Sequence, residues 1–138
     1  MVLRKQDSFG GYLRMNNHSS FFDYIGYQKY KGENQPIKLE LNIKEKVLSE
    51  DGTIPAGVFA SMLDIVVGST ISSEMGNPTT TVNLNMNFFD LTNKGAYTAF
   101  ASITYKDEKM ITGEGVVVDK MKNIVAKGVG TFKVLSSK

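Results

Sequence analysis

Pro55-Ala56-Gly57-Val58-Phe59-Ala60-Ser61-Met62-Leu63-Asp64-Ile65-Val66-Val67-Gly68 is a mostly apolar stretch in which Asp64 is the sole charged side chain. Proline favours the first turn of a helix, where its missing N–H costs nothing, and Gly76-Asn77-Pro78 is a stop signal, so the stretch predicts a helix from Pro55 to Met75. The helix is apolar nearly all round, which predicts cover on most sides. Its many β-branched residues give it mediocre intrinsic propensity, so packing must hold it. A carboxylate costs several kcal/mol to bury unless something compensates it. Asp64 is therefore either structurally satisfied, as a cap or hydrogen-bonded acid, or chemically used, and we read it as used.

Downstream the periodicity changes to two. Val82, Leu84, Met86 and Phe88 alternate with Thr81, Asn83, Asn85 and Asn87, predicting a strand with an amide-rich face. Asn85 is a candidate ligand contact on what is otherwise a solvated or interface face. Strands over Gly95 to Tyr105, Met110 to Val118 and Asn123 to Leu135 follow, separated by the turns Lys106-Asp107-Glu108-Lys109 and Asp119-Lys120-Met121-Lys122, and we read the four strands as a meander. Upstream, Ile37, Leu39, Leu41 and Ile43 alternate with polar residues as one more strand. Residues 1–34 read as a variable helical segment, with one or two short helices between Gly10 and Gly26, and residues 35–138 form the core of a single domain.

The 138 residues fit one globular domain, with 41% hydrophobic and 22% charged residues. The net charge of +2 is dispersed, so no nucleic-acid surface is expected. There is no cysteine, and the lone His18 reads as a helix-surface residue that cannot build a multi-histidine metal centre. The amino terminus lacks an apolar signal core and no uncharged apolar run reaches the length of a membrane span, so the expected compartment is the cytoplasm. A helix apolar on all sides needs a sheet curled around it, which gives an α+β architecture. The strand carrying Asn83 to Phe88 would be an open edge, which predicts a symmetric dimer with a continued sheet.

Gly52-Thr53-Ile54-Pro55-Ala56-Gly57, Leu63-Asp64, Gly68, Thr81-Val82-Asn83-Leu84-Asn85-Met86-Asn87-Phe88 and Gly128-Val129-Gly130-Thr131-Phe132, in this order and spacing, resemble the hotdog-fold acyl-CoA thioesterases of the phenylacetyl-CoA type. The resemblance covers about residues 37–134. It departs from the family at two points beside the implied chemistry: Pro55-Ala56-Gly57 stands where the family has His-Gly-Gly, and Ser49 stands where it has asparagine.

The resemblance implies a hotdog fold and hydrolysis of an acyl-CoA or other acyl thioester, with coenzyme A as part of the substrate and no further cofactor or metal. It implies Asp64 as general base or nucleophile, and the backbone N–H groups of Ala56 and Gly57 as donors to the oxyanion. Thr81 and Ser49 are hydroxyl candidates to orient water or Asp64. Lys106, Lys109, Lys120 and Lys122 lie in turns that could meet CoA phosphates, while Met62 and the other methionines and phenylalanines belong to a core or an acyl tunnel. Ala56 and Asp64 are eight residues apart, roughly 12 Å along a helix, so one chain cannot bring both to one carbonyl. A homodimer, or a dimer of dimers, with the acid of one subunit facing the amides of the other is the expected assembly. Two competing expectations are a non-catalytic acyl-CoA binding module and a structural oligomerisation domain.

Overall fold

The computed structural model describes residues 2–9, 12–16 and 19–136, with side chains from residue 19 onward. His18 lies outside the described residues. The chain runs β1 (Val2–Phe9), β2 (Tyr12–Asn16), α1 (Ser20–Ile25), β3 (Gln28–Gly32), β4 (Lys38–Asn42), α2 (Ala56–Met75), β5 (Thr79–Phe88), β6 (Ala96–Lys106), β7 (Met110–Asp119) and β8 (Ile124–Val134), with a single turn of 3-10 helix at Glu45–Val47.

All described strands join one sheet in the order β1-β2-β3-β4-β6-β7-β8-β5, and every neighbouring pair is antiparallel. The four-strand meander expected after α2 is corrected here. Only β6, β7 and β8 run in sequence, whereas β5 pairs with β8 at the far edge. The 20-residue helix carries the chain from the β4 side across the sheet, and residues 89–95 bring it back to pair β6 with β4.

That return path is fastened at each step. Phe89 N–H donates to Val125 O, Ile54 N–H to Leu91 O and Ile43 N–H to Gly95 O. Lys94 bridges Asp90 at 2.9 Å and Asp119 at 3.2 Å. Tyr97 Oη donates to Thr92 O and accepts from Lys94 N–H. Asp119 is 4% exposed and accepts the N–H groups of Met121 and Asn123, which shapes the β7–β8 turn. Burial pushes its carboxyl up, but the Asn123 amide, Lys94 and the other donors outweigh this and hold it below the usual range. These bonds also fix Ile54, and with it the start of α2.

Helix α2 ends on Gly76 in the left-handed region (φ 70°), whose N–H caps Ser72 O. One side of it, Val58, Phe59, Met62, Leu63, Val66, Val67 and Ile71, is buried on the sheet, and burying each such side chain stabilises the fold by about 1.5–3 kcal/mol. By length and mean hydropathy α2 could cross a membrane, yet here it is the core helix. Close approach is made possible by β7: a Cβ on Gly113 or Gly115 would meet a Val67 methyl at 2.9 Å. The sheet covers only this side. Gly57 is exposed and Ala60, Ser61, Asp64, Ile65, Gly68 and Ser72 are half-buried, so the expected cover on most sides is not supplied within one chain.

The helical segment expected over residues 1–34 is also corrected. Its described residues hold one short helix, α1, amid strands β1, β2 and β3. Pairing of Arg14 with Tyr30 and of Lys29 with Leu39 extends the sheet past β4, a non-local gain that overrides a weak local pattern. Helix α1 is capped by Ser19 Oγ, which accepts Phe22 N–H, and ends on Gly26 with φ 100°. Tyr27 Oη then donates to Val58 O at 2.7 Å, tying this segment to α2.

Candidate active site

The open face of α2 forms one wall of a cleft of about 520 Å³. Ser61, Asp64, Gly68 and Ser72 contribute from α2, Thr79 and Thr81 from β5, Phe21 from α1 and Lys29 from β3. Asp64 is half-buried rather than sealed in the core, and Thr81 Oγ1 donates to its Oδ1 at 2.7 Å. A single accepted hydroxyl proton fixes one carboxylate oxygen and leaves the other able to act on water or a carbonyl.

The pairing of Thr81 with Asp64 depends on an irregularity in β5. Thr81 pairs with Phe132 and Asn83 with Thr131, so Val82 is an extra residue that two-for-one pairing leaves out. Beyond it Leu84, Met86 and Phe88 pack towards the core. Before it the parity is reversed, so Thr79 and Thr81 face the cleft and Val82 is 53% exposed. The unbroken alternation expected for this strand, with Val82 on the apolar face, is thus corrected: the bulge turns Thr81 towards α2.

At the start of α2, Pro55 is the cap residue and supplies no side-chain cap, and the first turn holds no acid. The N–H groups of Ala56 and Gly57 therefore sit at a helix N-terminus whose positive dipole end is uncompensated. Gly57 lines a second, apolar groove of about 430 Å³ with Pro55, Val58, Tyr24, Ile25 and Val47. Phe21 and Ser61 border both spaces. Within one chain the amides and the acid lie along one helix face but do not share a cleft, in keeping with the spacing of eight residues.

The other candidates fall elsewhere. Ser49 sits in the turn before α2, where its N–H donates to Thr53 O, and it lines neither space. Met62 is 0% exposed and belongs to the core, so it is not a substrate contact. Asn85 Nδ2 donates to Asn83 Oδ1 on the exposed face of β5. Lys106 pairs with Glu74 at 3.2 Å. Lys109 and Lys120 and Lys122 flank opposite ends of β7, a strand of ten residues and about 33 Å, so within one chain the two turns cannot meet one phosphate group.

Sequence reasoning missed Lys29. It is the one cation among the described residues of the Asp64 cleft, and burial holds its ammonium below the usual lysine range. It also missed Phe21, an aromatic 51% exposed at the junction of the two spaces. Phe21 and Phe22 could have been singled out as adjacent aromatics behind a helix cap. Nothing in Gln28-Lys29-Tyr30-Lys31 distinguishes Lys29 from its neighbours.

No protein-family model and no curated relative matches the chain. Solved structures do. A Bacillus halodurans protein determined with CoA superposes with a TM-score of 0.81 at 23% identity, covering 90% of this chain and 83% of that one. The E. coli PaaI protein from the phenylacetic acid degradation operon gives 0.78 at 13% identity over 87% of each chain. A thioesterase of Haemophilus influenzae gives 0.77 at 14% identity, over 85% of this chain and 83% of its own. An antiparallel sheet packed on one long helix, superposing on these structures over most of its length, is the hotdog fold that they share.

Proposed function

We propose that this chain hydrolyses an acyl thioester, with CoA as the thiol carrier. The observation that carries this reading is the 2.7 Å hydrogen bond from Thr81 to Asp64 inside the cleft on the open face of α2. Thioesterases among the structural neighbours and the CoA held by one of them support the same chemistry. Asp64 takes a proton from water, the water oxygen bonds to the carbonyl carbon, and the C–S bond breaks as the sulfur leaves and collects the proton. Attack by Asp64 itself is the alternative first step, followed by hydrolysis of the anhydride. The amides of Ala56 and Gly57 from a second copy of this chain receive the oxyanion. The outer edge of β5, unpaired among the described residues, is the surface on which that copy continues the sheet.

A thiol-release assay over short, long and aromatic acyl-CoA esters tests this reading. Asp64→Asn and Asp64→Ala should fold as the parent does and lose about a hundredfold or more in turnover. An undiminished rate in either variant removes Asp64 from the chemistry. A second reading, a non-catalytic acyl-CoA binding module, is favoured by Pro55, which offers no N–H where the resembled family has histidine. Saturable acyl-CoA binding with no thiol release from any ester would establish it instead.

A further inference from the structure

Lys29 is on the wrong side of the sheet for a lysine. It pairs with Leu39 of β4, which in turn pairs with Ala99 of β6. Side chains directly opposite in a sheet share a face, and Leu39 and Ala99 are both 0% exposed on the side that α2 covers. Lys29 therefore points inward, into the space that also holds Asp64. Inward charges are used to blunt exposed sheet edges, but β2 already occupies that flank of β3, so edge protection does not account for it. No charged partner among the described residues offsets its burial. An ammonium partly removed from water with no counter-charge costs stability unless a ligand supplies one. The Ser61 and Thr79 hydroxyls also line the cleft, while those of Ser72 and Thr81 donate to Asn77 O and Asp64.

We propose that Lys29 selects thioesters whose acyl part carries an anionic group, a terminal carboxylate above all, bound in the cleft with its carbonyl end at Asp64. This rests on the hydrolytic reading above and adds the substrate class to it. Lys29 and Asp64 line the same cleft of about 520 Å³, so a short acyl part reaches from one to the other. The phosphates of CoA are the other anion that an ammonium could meet. A lone, partly desolvated cation inside the Asp64 cleft suits one monoanion on the acyl part.

The test compares glutaryl thioesters with their monomethyl esters, each made both on CoA and on N-acetylcysteamine, which lacks phosphate. The parent protein should prefer the free carboxylate in both series by about tenfold to a hundredfold in kcat/KM, the range of a charge-assisted hydrogen bond. Lys29→Met should lose that preference, its kcat/KM falling further on the carboxylates than on the methyl esters, and Lys29→Arg should keep the preference. Equal rates on the two acyl types in the parent would overturn the proposal. So would a Lys29→Met defect that appears on every CoA ester and on no N-acetylcysteamine ester, which assigns the ammonium to phosphate. If no ester is hydrolysed, it is the hydrolytic reading that fails. Calorimetric binding of glutaryl-CoA and its methyl ester to parent and Lys29→Met then decides the role of Lys29: a carboxylate preference lost in the variant supports it, and equal affinities overturn it.

Discussion

At the scale of single residues, the site turns on which atom holds Asp64. Thr81 supplies one short hydrogen bond to it, so Thr81 is a positioning residue rather than a reacting one. Thr81→Val should lower kcat by about tenfold to a hundredfold with little change in KM, and Thr81→Ser should restore most of it. A rise in KM alone would point to a binding role instead. Tyr27 offers a separate check. Burial raises its phenol to about 12, with a hydrogen bond from Ser61 opposing the shift. The unfolded phenol titrates near 10.0, so stability from the neutral form is full below that value and falls as the pH rises from there towards 12. Burial raises the Tyr97 phenol as well, so absorbance titration of the tyrosinates should show both groups ionising late, and Tyr27→Phe should remove one of the two. Asp64 was legible in the sequence because a lone charge in an apolar run stands out. Lys29 was not, because its direction is decided by the register with Leu39, which no local pattern encodes.

At the scale of elements, α2 and β7 are matched by the absence of side chains at Gly113 and Gly115. A Cβ on Gly115 would meet Val67 at 2.9 Å and Leu63 at 3.2 Å. Gly115→Ala should therefore cost about 1–3 kcal/mol in urea unfolding, and Val67→Ala in the same chain should recover part of that loss rather than add to it. Strict additivity would mean that the helix does not rest on this strand. The β7–β8 turn carries a different prediction. The Asp119 carboxyl is depressed in the folded state, so its contribution is present above the ordinary carboxylate range and is lost as the pH falls through the folded value. Asp119→Asn should lower the thermal midpoint at pH 7 and flatten the decline of stability below pH 4. Helix α2 and the strands β4, β6, β7 and β8 were readable from periodicity and from Pro and Gly punctuation. The bulge at Val82 was not, because valine satisfies the alternation and only the pairing of Thr81 and Asn83 with consecutive residues of β8 exposes the insertion. The return of β5 to β8 was hidden for the same reason: strand order is a long-range property.

At the scale of the whole molecule, one chain leaves two surfaces unfinished, the outer edge of β5 and the small-residue face of α2 that runs from Gly57 past Asp64 to Gly68. A second copy related by a two-fold axis would cover both and would bring each acid to the other's amides. Subunit mixing tests this directly. Asp64→Asn removes the acid, and Ala56→Pro removes an oxyanion donor at a first-turn position where proline is tolerated. Each variant alone should be nearly inactive. Mixed in equal amounts under conditions that allow exchange, half of the dimers are hybrids, and in each hybrid one of two sites combines an intact Asp64 with an intact Ala56. About a quarter of the parent activity should therefore return. Sites confined to single chains would stay dead after mixing, because no chain in the mixture carries both groups.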